Sequence, residues 1–86
     1  MSRHRTGWER AVREHPGLVD EIVSSLRPLL LLWVRAAEPE LRPGYRVCIV
    51  FRTLRWYREN MAAAEDMLFR DMVFNATGLV FPDPYP

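Results

Sequence analysis

The sequence predicts an all-α protein: a short N-terminal helix, then a helical hairpin whose second arm is one long C-terminal helix, dimerising into a bundle. Three observations predict it. Leu18, Ile22, Leu26, Leu29 and Trp33 recur every three or four residues, the period of a helix face. The stretch from Tyr45 to Thr77 holds neither glycine nor proline. The strongest chain breakers fall between the two, in Glu38-Pro39-Glu40-Leu41-Arg42-Pro43-Gly44.

The elements follow in order. Thr6 and Glu9 have the spacing of a capping box, so a helix from about Gly7 to Glu14 is expected, ended by Pro16-Gly17. Residues 1–5 form a flexible basic arm ahead of it. Leu18 to Ala37 is the second helical stretch, with Pro28 inside it. A proline there removes one backbone hydrogen bond and crowds the preceding turn, which predicts a kink or two helices meeting near Arg27. Leu31 and Leu32 make the second half apolar nearly all round, so burial is expected there. The 38–44 segment is a turn of a length that suits antiparallel neighbours.

In the long stretch, Val47, Val50, Leu54, Tyr57, Met61, Leu68 and Met72 cluster on one face with nearly heptad spacing. This face is the expected homo-oligomer interface. A second set lies about 140° around the helix, at 100° per residue. It comprises Ile49, Trp56, Ala63, Met67 and Phe74; Ile49, Trp56, Met67 and Phe74, with Phe81 and Tyr85 of the tail, are the expected contacts for another protein. A strand is the alternative for 45–51, because Tyr45, Val47, Ile49, Val50 and Phe51 suit a sheet; it would pair with 79–81 in an α+β fold. The unbroken seam favours the helix. Residues 75–86 alternate proline with other residues beyond Pro82 and form an extended tail, with Asn75 or Gly78 closing the helix before it.

Eighty-six residues make a single small domain, 1–86, with a marginal core. Yet 49% of the residues are hydrophobic and ten are aromatic. That load exceeds what one long rod and its short neighbours can shelter, and large exposed apolar patches mark interfaces. The net charge of +1 does not indicate whole-protein steering toward nucleic acid or an anionic membrane. All twelve basic residues are arginine, which fits the codon usage of a GC-rich bacterial or phage genome. The single cysteine, Cys48, fits a reducing compartment. The longest apolar run, Leu29 to Val34, is far short of the roughly 20 residues of a membrane span, and charges interrupt the N-terminal region. A cytoplasmic protein is expected.

No constellation carries catalytic chemistry. His4, His15 and Cys48 share no ligand spacing, so no metal or cofactor is expected. Cys48 sits among apolar neighbours that would keep its thiol inert. Glu38/Glu40 and Glu65-Asp66 read as solvated charges. Arg52, Arg55 and Arg58 trace a basic stripe interleaved with Trp56 and Tyr57, a pattern able to hold a phosphate backbone. The expectation is a homo-oligomeric protein–protein interaction module for assembly, scaffolding or regulation, not an enzyme. The alternative is a small nucleic-acid-binding regulator using those three arginines.

Overall fold

The computed structural model describes residues 10–85. Residues 10–14 are helical, and four further helices follow: α1, Leu18–Ala37; α2, Pro43–Glu59; α3, Met61–Ala64; and α4, Phe69–Thr77. The described residues contain no strand, so the class is all-α and the alternative with strands at 45–51 and 79–81 is set aside. Tyr45 to Phe51 instead forms the opening turns of α2. Pro43 stands in its first turn, where a missing N–H is harmless and the fixed φ is already helical. The Thr6–Glu9 capping box and the 1–5 arm lie outside the described residues.

Helix α1 buries Val23, Leu30, Trp33, Val34 and Ala37 along one stripe. It runs through Pro28 as one continuous helix, so of the two expectations the junction of two helices near Arg27 is set aside. Ser24 and Pro28 are both exposed, so water can serve the carbonyl that Pro28 leaves without a donor. The expectation of all-round burial is also corrected. Leu29, Leu31 and Leu32 are exposed, Leu32 to 58%. The Arg46 guanidinium knits the connection after α1 by donating to the carbonyls of Leu41 (2.6 Å) and Pro39 (3.4 Å). Arg58 then meets Asp20 at 2.7 Å, tying the end of α2 to the start of α1. The two helices therefore run antiparallel, as the hairpin reading requires.

The single long C-terminal helix is the main correction. The chain is broken at Asn60 and again across 65–68. Asn60 closes α2: its side-chain amide donates to the Trp56 carbonyl (2.9 Å) and its backbone N–H to that of Tyr57 (3.0 Å). Asparagine competes in this way with regular helix hydrogen bonding, which makes it a natural stop. Glu65 and Asp66 follow α3, where negative charge opposes the helix dipole, while Asp71 lies in the first turn of α4, where it complements it. Burial outweighs these local effects. A continuous rod would leave Met72 and Val73 beyond the reach of α1; the break folds α4 back onto α2 and buries both.

One core results. Trp33 of α1 sits between Phe69, edge-on at 6.4 Å, and Phe81, stacked at 6.2 Å. Helix α4 ends at Gly78, the one residue with positive φ (77°) among those described, whose N–H donates to the Phe74 carbonyl at 2.8 Å. The left-handed conformation there suits glycine. Asn75 to Thr77, expected in the tail, belong to α4. Beyond Gly78 the described chain has neither helix nor strand, and it lies on its own core through Phe81, which is 7% exposed.

Candidate interaction groove

The α1–α2 pair is covered unevenly. On one side α4 and the tail pack over it, through Ile49, Thr53 and Tyr57 of α2 and Trp33 of α1, all buried. On the other side no element of the described chain closes the seam between the helices. A groove of about 490 Å³ opens there. Val23, Val50 and Leu54 form its floor, and Leu31, Val47 and Phe51 its walls, with Arg27, Arg55 and Arg58 at the rim.

Helical spacing puts these groups together. Val23, Arg27 and Leu31 are one turn apart along α1; Val47, Phe51 and Arg55 are one turn apart along α2, and Val50, Leu54 and Arg58 flank them. The floor is buried, but Phe51 is 65% and Val47 56% exposed. Among the described residues no carboxylate lines the groove. The one ion pair among the described residues, Arg58–Asp20, joins two exposed side chains. Arg27 and Arg55 have no carboxylate within ion-pairing distance there. The result is a greasy slot with a positive margin.

The seven seam residues divide between core and surface. Val50, Leu54, Tyr57, Met61 and Met72 are buried within the single subunit, whereas Val47 and Leu68 are exposed. A face drawn through all seven does not exist as a surface, because the chain turns between them. Of the six expected partner contacts, Ile49 and Phe81 are buried, Trp56 and Met67 half-buried, and Phe74 and Tyr85 exposed. Arg55 and Arg58 of the basic stripe reach the groove; Arg52 is exposed but does not line it. Val23, Arg27, Leu31 and Phe51 were missed as site residues. The four-residue steps Val23–Arg27–Leu31 and Val47–Phe51–Arg55 are the signal that could have found them.

The interior offers little else chemically. Thr53, fully buried, donates its hydroxyl to the Ile49 carbonyl at 2.8 Å. Burial, and secondarily the Glu65 carboxylate, pushes the Tyr57 phenol above its ordinary pKa. No buried side-chain polar atom among the described residues lacks a hydrogen bond. Cys48, expected to be shielded by apolar neighbours, is instead exposed. Among the described residues no group of histidine, cysteine and acidic side chains could hold a metal, and no helix is long and apolar enough to cross a membrane. No protein-family model, no curated protein and no solved structure matches the chain.

Proposed function

We propose that this chain is a small helical protein–protein interaction module, an assembly or regulatory accessory whose working surface is the α1–α2 groove. The observation that carries the reading is the exposure of Leu31, Val47 and Phe51 around a buried apolar floor. Folding has already gathered Val50, Leu54, Tyr57, Met61 and Met72 into the chain's own core, while Leu31, Val47 and Phe51 keep much of their apolar surface in water. Keeping three such side chains in water is unfavourable by about 25 cal/mol per Å², which a partner covering them would recover. Self-association through the complete Val47–Met72 seam is not part of this proposal, since most of that seam is occupied.

Site-specific photocrosslinking in the native host tests it. A photoreactive phenylalanine analogue at position 51 is expected to trap a protein adduct. The same analogue at Ala63, which is exposed and does not line the groove, should trap none. Leu31→Asp should abolish the adduct at 51 while leaving the helical signal unchanged. Adducts of equal yield at 51 and 63, or a nucleic-acid adduct that disappears with Arg52, Arg55 and Arg58, would overturn the reading.

A further inference from the structure

The groove's chemistry narrows the class of partner. Resting on the interaction reading above, we infer that the α1–α2 groove receives an acidic amphipathic helix from another protein. The helix's apolar side chains fill the slot between Leu31 and Phe51, and its carboxylates meet Arg27, Arg55 and Arg58.

Charge is the first argument. Three guanidinium groups stand on the rim, and among the described residues no carboxylate lines the groove. Arginine's planar fork is suited to bidentate pairing with carboxylates, and such pairs stay effective beside an apolar surface that excludes water. Arg27 and Arg55 have no carboxylate partner among the described residues. Arg58 holds Asp20, but both side chains are largely solvated (48% and 72% exposed), and pairs of that kind are worth only about 0–1 kcal/mol. It can be exchanged for an incoming carboxylate at little cost. The same charges disfavour two occupants from this chain. A second copy presenting the same groove would set arginine against arginine. The N-terminal segment carries Arg3 and Arg5 against the single acid Glu9, so it would bring net positive charge to a positive rim.

Shape is the second argument. Small molecules are held in sites that enclose most of their surface. Here the walls themselves face solvent, with Phe51 65% exposed. A ligand without a rigid far side of its own would remain wet. A helix brings that far side. From Val47 to Arg58 the groove follows α2 for about 16 Å at 1.5 Å per residue, enough for anchors at i, i+3 or i+4, and i+7. Seated there, the incoming helix would complete a three-helix layer on the side opposite α4.

The test uses the full chain and three labelled probes. The first is an acidic amphipathic peptide with leucines at i, i+4 and i+7 flanked by glutamates. The second is the same peptide with lysine for every glutamate, and the third is a fluorescent medium-chain fatty acid. Fluorescence anisotropy at about 50 mM salt is expected to show the acidic peptide binding at least tenfold tighter than the basic one. Its affinity should fall several-fold at about 300 mM salt. In Arg27→Glu/Arg55→Glu the preference should invert. Both side chains are exposed, so that variant keeps the fold, which far-UV circular dichroism checks. Phe51→Ser should weaken both peptides.

Equal binding of the two peptides would overturn the acidic-helix inference while leaving the groove as an interaction surface. Fatty acid binding tighter than either peptide, no binding by either peptide, or a concentration-dependent doubling of mass that Phe51→Ser abolishes, would each overturn it too. A groove that fails altogether is recognised separately, by the absence of an adduct at position 51.

Discussion

Phe81→Ala is the sharpest perturbation of this fold, because one fully docked aromatic ring, with only the half-buried Leu79 beside it, holds an irregular tail to the core. A phenylalanine offers about 200 Å² to burial. With 7% of Phe81 exposed, transfer of the ring from water contributes on the order of 4–5 kcal/mol, an upper value because an unfolded chain already hides some surface. Alanine retains part of that contribution, and the stack on Trp33 at 6.2 Å is lost, giving an expected loss of about 3–4 kcal/mol. A domain of this size has roughly 4–13 kcal/mol in all, so the variant should be visibly crippled. Urea unfolding followed by circular dichroism and by tryptophan emission measures the change. The folded variant should also emit further to the red, since Trp33 loses a covering ring. Val80→Ala, one residue away but exposed, is the control and should shift stability by under about 0.5 kcal/mol. A loss for Phe81→Ala below about 1 kcal/mol, with an unchanged denaturant slope, would refute the docking of the tail and the core drawn around Trp33.

Three further outcomes are expected. Gly78→Ala should lower stability by about 1–2 kcal/mol although nothing lies within 4 Å of the added methyl, because φ is 77° there; chemical denaturation reads it, and a neutral result would mean the cap relaxes. The native Tyr57 phenol titrates above its unfolded value of 10.0, so the stability tied to its neutral form is complete below pH 10 and is lost as pH rises through the raised native value. Melting temperatures between about pH 9.5 and 11.5 should fall more steeply for the natural chain than for Tyr57→Phe, and parallel slopes would contradict the burial. Asp20→Ala and Arg58→Ala should each change stability by less than about 1 kcal/mol, with a coupling in a double-mutant cycle near 0.5 kcal/mol or below, as both partners are solvated.

Local periodicity and chain breakers made much of the architecture legible. The Leu18–Trp33 spacing marked α1, and the prolines of 38–44 marked the turn. The helical reading of Tyr45–Phe51 prevailed over its β-rich composition because the apolar period continued past it. The break after Glu59 was not legible. No glycine or proline announces it, and a lone asparagine such as Asn60, though able to stop a helix, also occurs on helix surfaces. What decides it is tertiary: the break lets Met72 and Val73 be buried, while Asn60, Ala64 and Met67 still donate backbone hydrogen bonds across it. The heptad seam consequently identified several residues that need burial but assigned the burial to another subunit. The groove was half visible. Arg55 and Arg58 were noticed for their charge, while Phe51 fell between the two apolar stripes and Arg27 and Leu31 needed the hairpin's register to join them.

The Trp33–Phe81 stack also has a bearing on folding order. Its two rings are 48 residues apart in the chain, whereas α1 and α2 are joined by the five residues 38–42. Closing the longer loop is entropically worse by about 2 kcal/mol. The helical hairpin should therefore assemble first, with α4 and the tail latching on afterwards, past the rate-limiting barrier. Substitutions at Phe81 would then accelerate unfolding and leave the refolding rate nearly untouched, while those at Leu30 or Leu54 would slow refolding.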